Sequence, residues 1–166
     1  MDIAGILEHL ERYAPRELAQ SWDNVGLLIG ELHRPVQKVL ISLDATDNAL
    51  DYAIREGYDL ILSHHPLIFR PLKSITNPVI LKLIEARISL IAMHTNFDAA
   101  LGGVNHALAD ILELNILEPL GNPVDGAIGL VCSYATPHSL VEIARQVQYK
   151  LNNPSVKLWT AGLKPD

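Results

Sequence analysis

Apolar positions along this chain come in two rhythms. Ile3, Ile6, Leu7 and Leu10 recur at helical spacing, which predicts an amphipathic helix over 2–13 with Asp2 as its cap. After Pro15 the rhythm changes to short, continuous apolar runs. VGLLIG (25–30) and KVLISL (38–43) read as strands, joined by a polar loop through His33, Arg34 and Pro35. From there strands and helices alternate. Thr46 caps a helix carrying Ala49, Leu50, Ala53 and Ile54, and Gly57 stops it. DLILS (59–63) is a strand, Asn77-Pro78 opens a helix running to about residue 87, ISLIAM (88–93) is a strand, and Gly102-Gly103 leads into a helix over roughly 104–113.

This order predicts an α/β fold with a mostly parallel sheet and right-handed crossovers. Strands that are apolar throughout predict a sheet flanked by helices on both faces. The Pro/Gly-rich stretch 117–126 reads as a boundary. Beyond it, AIGLVCSY (127–134) reads as a strand, Thr136-Pro137 as a helix opening, and SVKLWT (155–160) as a further strand. The chain is therefore divided into an α/β lobe at 1–120, carrying the candidate site, and the start of a second α/β lobe at 121–166. A lone β-α-β unit makes a poor independent domain, so the second lobe is expected to be incomplete.

Chemistry gathers where the apolar runs stop. VLISL ends at Asp44, LILS at His64 and His65, and SLIAM at His94, with Asp98 four residues on. If these runs are parallel strands, their carboxyl ends bring all five residues to one rim, where open α/β sheets place ligands. Two imidazoles and a carboxylate suit a divalent transition metal, or a pair of them with more ligands. Adjacent histidines would point to opposite sides of a continuing strand, but Pro66 ends it and a turn can bring both to the rim. Asp98 fits a bridging carboxylate or the organiser of the AALGG turn. His94 fits a ligand or a donor that orients one, and Asp44 an outer partner of the site. Thr95 and Asn96 read as loop-stabilising, Trp22-Asp23-Asn24 as an aromatic anchor with a turn, and His9, His33 and His138 as surface or capping residues.

Composition narrows the classes. Of 166 residues 49% are hydrophobic and 19% charged, and the net charge is -6 with no basic block, so nucleic acid is not an expected partner. The single cysteine, Cys132, lies in an apolar run and forms no internal disulfide. The N-terminus lacks the pattern of a signal peptide, and no run reaches the ~18 apolar residues that would span a bilayer. A cytoplasmic protein with no membrane contact is the expectation. No GxSxG, Walker or GxGxxG motif occurs.

SWDNVGLLIG, ISLDAT, LILSHHPLIF and HTNFDAALGGVN occur in the order and spacing of one family. The chain resembles the Nif-three-like dinuclear metal-centre proteins, also known as GTP cyclohydrolase I type 2 homologues. The resemblance implies a two-lobed α/β fold, a ring-shaped homo-hexamer and a site for two divalent ions (Zn, Fe or Mn) held by His64, His65 and Asp98. It implies metal-dependent hydrolysis of a small molecule, nucleotide-related. The alternative is a non-catalytic metal-binding scaffold or regulator that acts through partners. The family completes its site with a histidine and a glutamate four residues apart near the C-terminus. Here His138 and Glu142 have that spacing but open a helix in the second lobe, so they read as a solvated face and the chain as ending inside that lobe. Each ion would then have about two protein ligands, fewer than the three or four of a stable site.

Overall fold

The computed structural model describes residues 1–121 and 128–158. Its first strand, β1 (Gly26–Ile29), follows helix α1 (Ile3–Tyr13) and a single turn at Arg16–Leu18. Strands β2 (Val39–Ser42), β3 (Leu60–Ser63) and β4 (Ser89–Ala92) alternate with helices α2 (Asp47–Glu56) and α3 (Pro78–Glu85). The sheet order is β1-β4-β3-β2. β2, β3 and β4 are parallel, with Leu60 opposite both Val39 and Ser89. β1 closes the other edge antiparallel to β4, with Gly26 opposite Ala92.

Alternation along the central strands feeds two cores. Leu60 and Ile91 pack with Ile3 and Ala14 on the α1 side. Ile61 and Leu90 pack with Leu50, Ala53 and Leu83 on the α2–α3 side. Helices therefore cover both faces at β3 and β4, as the unbroken apolar runs predict. At β2 the cover fails on the α1 side. Ile41 is 75% exposed and Leu43 61%, because α1 packs over the middle of the sheet and leaves this edge bare.

Local signals explain most helix ends. The Asp2 side chain accepts from the Gly5 amide and Thr46 from that of Ala49. Asn77 accepts from the amides of Val79 and Ile80, with Pro78 in the first turn. Gly57 takes a left-handed conformation (φ 69°) to end α2. One short connecting feature was not expected. Thr95–Ala99 form a helical turn, α4, ahead of α5 (Val104–Ile111). The link between them needs Gly103, where an added Cβ would lie 1.9 Å from the Phe97 carbonyl oxygen.

The region past residue 114 differs from the expected β-α-β unit. Strand β5 (Asn115–Leu120) pairs antiparallel with β6 (Gly129–Ser133) in a separate two-stranded sheet. The stretch read as a boundary therefore begins as strand, and residues 122–126 lie outside the described residues. Helix α6 (Leu140–Lys150) is capped by Ser139 through a reciprocal box with Glu142, not opened at Thr136-Pro137. Residues 155–158 are not strand, and 159–160 lie outside the described residues. Asn105 ties the two parts together by donating to the carbonyls of Asp98 and Ile128. Among the described residues, no helix is long and apolar enough to cross a membrane.

Candidate metal centre

The carboxyl ends of β2, β3 and β4 do converge. β3 stops at Ser63, whose hydroxyl donates to the His65 carbonyl 2.9 Å away. The His64 and His65 amides still donate to the carbonyls of Ser42 and Leu43 at the end of the neighbouring strand β2. This turn brings both imidazoles to the same side, with ring centroids 5.0 Å apart. His94, at the end of β4, completes a triangle at 5.3 Å from His64 and 5.7 Å from His65. One ligand-competent atom from each histidine lies within 4.8 Å of the others.

Hydrogen bonds orient all three rings. His64 Nδ1 lies 2.8 Å from the Met93 carbonyl. A carbonyl only accepts, so Nδ1 carries the proton and a neutral ring keeps its lone pair on Nε2. His65 Nδ1 lies 2.8 Å from Asp44 Oδ1, and His94 Nδ1 lies 2.9 and 3.0 Å from the two oxygens of Asp23. Carboxylate–imidazole pairs of this kind fix the tautomer and raise ligand basicity.

His64 Nε2 faces Asp98 Oδ1 at 3.6 Å. Two acceptors at that distance repel unless a cation or proton stands between them. Ligand atoms sharing one ion at ~2.1 Å stand about 3.4 Å apart at the tetrahedral angle. The spacing and the nitrogen–carboxylate donor set therefore fit a divalent transition metal.

Asp23, assigned from the sequence only to a turn, is brought against the cluster by the fold. Its side chain is shielded from solvent. It accepts from His94, from the amide and hydroxyl of Thr95, and from the Asn24 amide. Burial pushes its pKa up. The hydrogen bonds from the Thr95 hydroxyl, His94 and the two amides outweigh that and hold the carboxyl below its ordinary range. The antiparallel pairing of β1 with β4 sets Asp23 beside His94 across 71 residues of sequence. Asn96, fully buried, locks the same turn by accepting from the His94 amide and donating to the Ala14 carbonyl.

The remaining assignments sort cleanly. His64, His65 and His94 come together, Asp98 approaches the cluster at His64, and Asp44 sits behind His65. Thr95 and Asn96 hold the turn as expected. His33 pairs with Asp2 on the surface, His9 packs on Tyr13, and His138 packs on Tyr134. Beside the cluster runs an apolar cavity of about 710 Å³, lined by His64 and His65 with Tyr13, Ile41, Leu43 and Phe97 among others. Trp22, half exposed, lies 6.4 Å from His94 and 5.6 Å from Phe69.

The sequence profile of the Duf34/NIF3 (NGG1p interacting factor 3) family matches residues 1–165. This chain belongs to the Duf34/NIF3 family. It is 44% identical over 120 residues to a GTP cyclohydrolase 1 type 2 homolog of Halalkalibacterium halodurans, which covers 69% of this chain and 32% of that protein. The solved structure of the Staphylococcus aureus hypothetical protein SA1388 superimposes with a TM-score of 0.81 at 33% identity, over 95% of this chain and 66% of that one. A Bacillus cereus protein related to NIF3 gives a TM-score of 0.67 at 42% identity, over 73% and 35%. The two-lobed α/β fold expected from the sequence is thus the NIF3 fold, present in part. The chain spans about a third of the length of the curated relatives it matches.

Proposed function

We propose that His64, His65, His94 and Asp98 hold divalent ions, two of them, drawn from Zn, Fe and Mn. We propose further that this NIF3 chain belongs to a metal-dependent hydrolase of a small, nucleotide-related molecule. The observation that carries the reading is the approach of His64 Nε2 to Asp98 Oδ1 at 3.6 Å while Nδ1 is committed to Met93. When bound, such ions supply Lewis acidity and lower the pKa of water toward neutrality.

The chain's own residues supply position and charge. Asp23 and Asp44 aim His94 and His65, and Asp98 offsets cationic charge. The adjoining cavity of about 710 Å³ falls within the size range that accommodates small ligands and offers an apolar wall beside the histidines. The name GTP cyclohydrolase 1 type 2 homolog, carried by the relatives, makes nucleotides the first substrates to try.

The bare β2 edge favours a second role as a ring-forming, metal-binding scaffold. Ile41, Leu43 and Tyr13 present a contiguous exposed apolar surface along the cavity, of the kind that marks protein contacts. Self-association is proposed on that ground, with a homo-hexamer as the expected state.

Turnover of GTP, other nucleotides and phosphate esters, measured with Zn, Fe(II) or Mn(II), separates the two. A hydrolase loses roughly 10–100-fold or more in Asp98→Ala, with its assembly state unchanged. A scaffold shows no metal-dependent turnover in either protein.

A further inference from the structure

Trp22 stands ahead of β1 and is 54% exposed, although tryptophan is on average a largely buried residue. Its backbone is held firmly. The Gln20 amide donates to the Thr95 hydroxyl oxygen and the Asp23 amide to the Gln20 carbonyl. Asp23 in turn accepts from His94, Thr95 and Asn24. Trp22 is therefore pinned on both sides in sequence while more than half of it stays in solvent.

Two rings border the indole. His94 meets it edgewise at 6.4 Å and 73°, and Phe69 lies 5.6 Å away, tilted by 47°. Neither is parallel to it, so among the described residues no ring is stacked on the indole. Phe69, 43% exposed, belongs to the irregular connection 64–77 between β3 and α3. Irregular connections longer than about 12 residues are uncommon and tend to carry function. Asn24 ties this one to the tryptophan turn by donating from Nδ2 to the Ile68 carbonyl. Two exposed aromatic side chains thus stand side by side at the edge of the histidine cluster.

Neither ring lines the apolar cavity beside His64 and His65. The pair is a separate feature that borders the cluster on the His94 side. Rigid aromatic side chains lose little freedom on binding, and they prefer offset-stacked or edge-to-face ring partners. Every nucleobase has a π-face and stacks on such a platform, whereas a sugar or a phosphate has none. We propose that Trp22, with Phe69 at its side, is the platform on which the substrate of the metal centre lays a planar heteroaromatic ring, a nucleobase. This rests on the metal-centre reading for what lies beside the platform, but the stacking itself needs no ion.

The chain has two tryptophans, Trp22 and Trp159, so Trp159→Phe makes Trp22 the sole indole reporter. Fluorescence of that variant, stripped of metal with a chelator, is titrated with GMP, CMP and ribose 5-phosphate. GMP should quench saturably with Kd below about 10 mM. CMP, with the smaller ring, should bind several-fold more weakly, and ribose 5-phosphate should leave the emission unchanged. Saturation-transfer NMR of the GMP base protons repeats the titration on chains that keep Trp159. There Trp22→Leu should bind about fivefold or more weakly than wild type, and Trp22→Phe should keep most of the affinity. Zinc retention should be unchanged in Trp22→Leu, because Trp22 offers no ligand atom. No saturable quenching by GMP, equal quenching by ribose 5-phosphate, unchanged affinity in Trp22→Leu, or zinc lost together with that affinity would each overturn the proposal. Wild-type protein that binds GMP in this way but holds no zinc would uphold the platform and remove the metal centre instead.

Discussion

Asp23 holds His94 through both carboxylate oxygens, at 2.9 and 3.0 Å from Nδ1, across 71 residues of sequence. That pairing makes His94 the third imidazole of the cluster. Asp23→Asn keeps the volume but removes the charge and one acceptor. Zinc affinity, measured by competition with a chromophoric chelator, should fall about 10–100-fold. An unchanged affinity would assign Asp23 to holding the turn alone.

Gly103 lets α4 and α5 close on each other. Its φ is -79°, so the constraint is space, not conformation. Gly103→Ala forces Phe97 and Asp98 to move, and should cost about 1–3 kcal/mol. Urea denaturation reads the loss, and metal affinity should fall with it, because Asp98 rides on α4.

Asp59 accepts from the amides of Gln37 and Lys38 at 2.8 and 3.1 Å, and these hydrogen bonds hold its pKa below the ordinary value. A depressed folded-state pKa stabilises the protein above the unfolded value of about 3.9. That contribution is lost as pH falls through the folded value. Asp59→Asn should lose about 1 kcal/mol at neutral pH and less at pH 3, which denaturation at the two pH values will show.

Ile41 is 75% exposed, so its side chain adds little to the packing within the chain. Ile41→Glu should change stability by less than about 0.5 kcal/mol, yet lower the mass seen by light scattering. Unchanged assembly would remove the β2 edge from any interface.

The sequence made the rim legible because three signals coincided there. Thr46 and Gly57 bracket α2, Asn77-Pro78 opens α3, and each apolar run ends at an ionisable residue. His94 was visible, but its rank beside His64 and His65 was not, since that depends on Asp23. Nothing local in Trp22-Asp23-Asn24 announces that β1 runs antiparallel beside β4. Helix α4 spans five residues, too short to display a period. β5 carries Glu118 and Pro119 and is exposed throughout, so it shows neither the alternation nor the apolar run of a strand. The start of α6 was readable. Ser139 and Glu142 spell a capping box, and the competing Thr136-Pro137 obscured it.

The most direct test of the central claim is metal content per chain, by plasma mass spectrometry, after loading with Zn, Fe(II) or Mn(II) and desalting. Wild type should retain roughly two ions, and His64→Ala, His94→Ala and Asp98→Ala should each lose most of them while keeping their secondary structure. Wild-type protein that retains no ion, or variants that retain as much as wild type, would contradict the assignment of these residues as a metal centre.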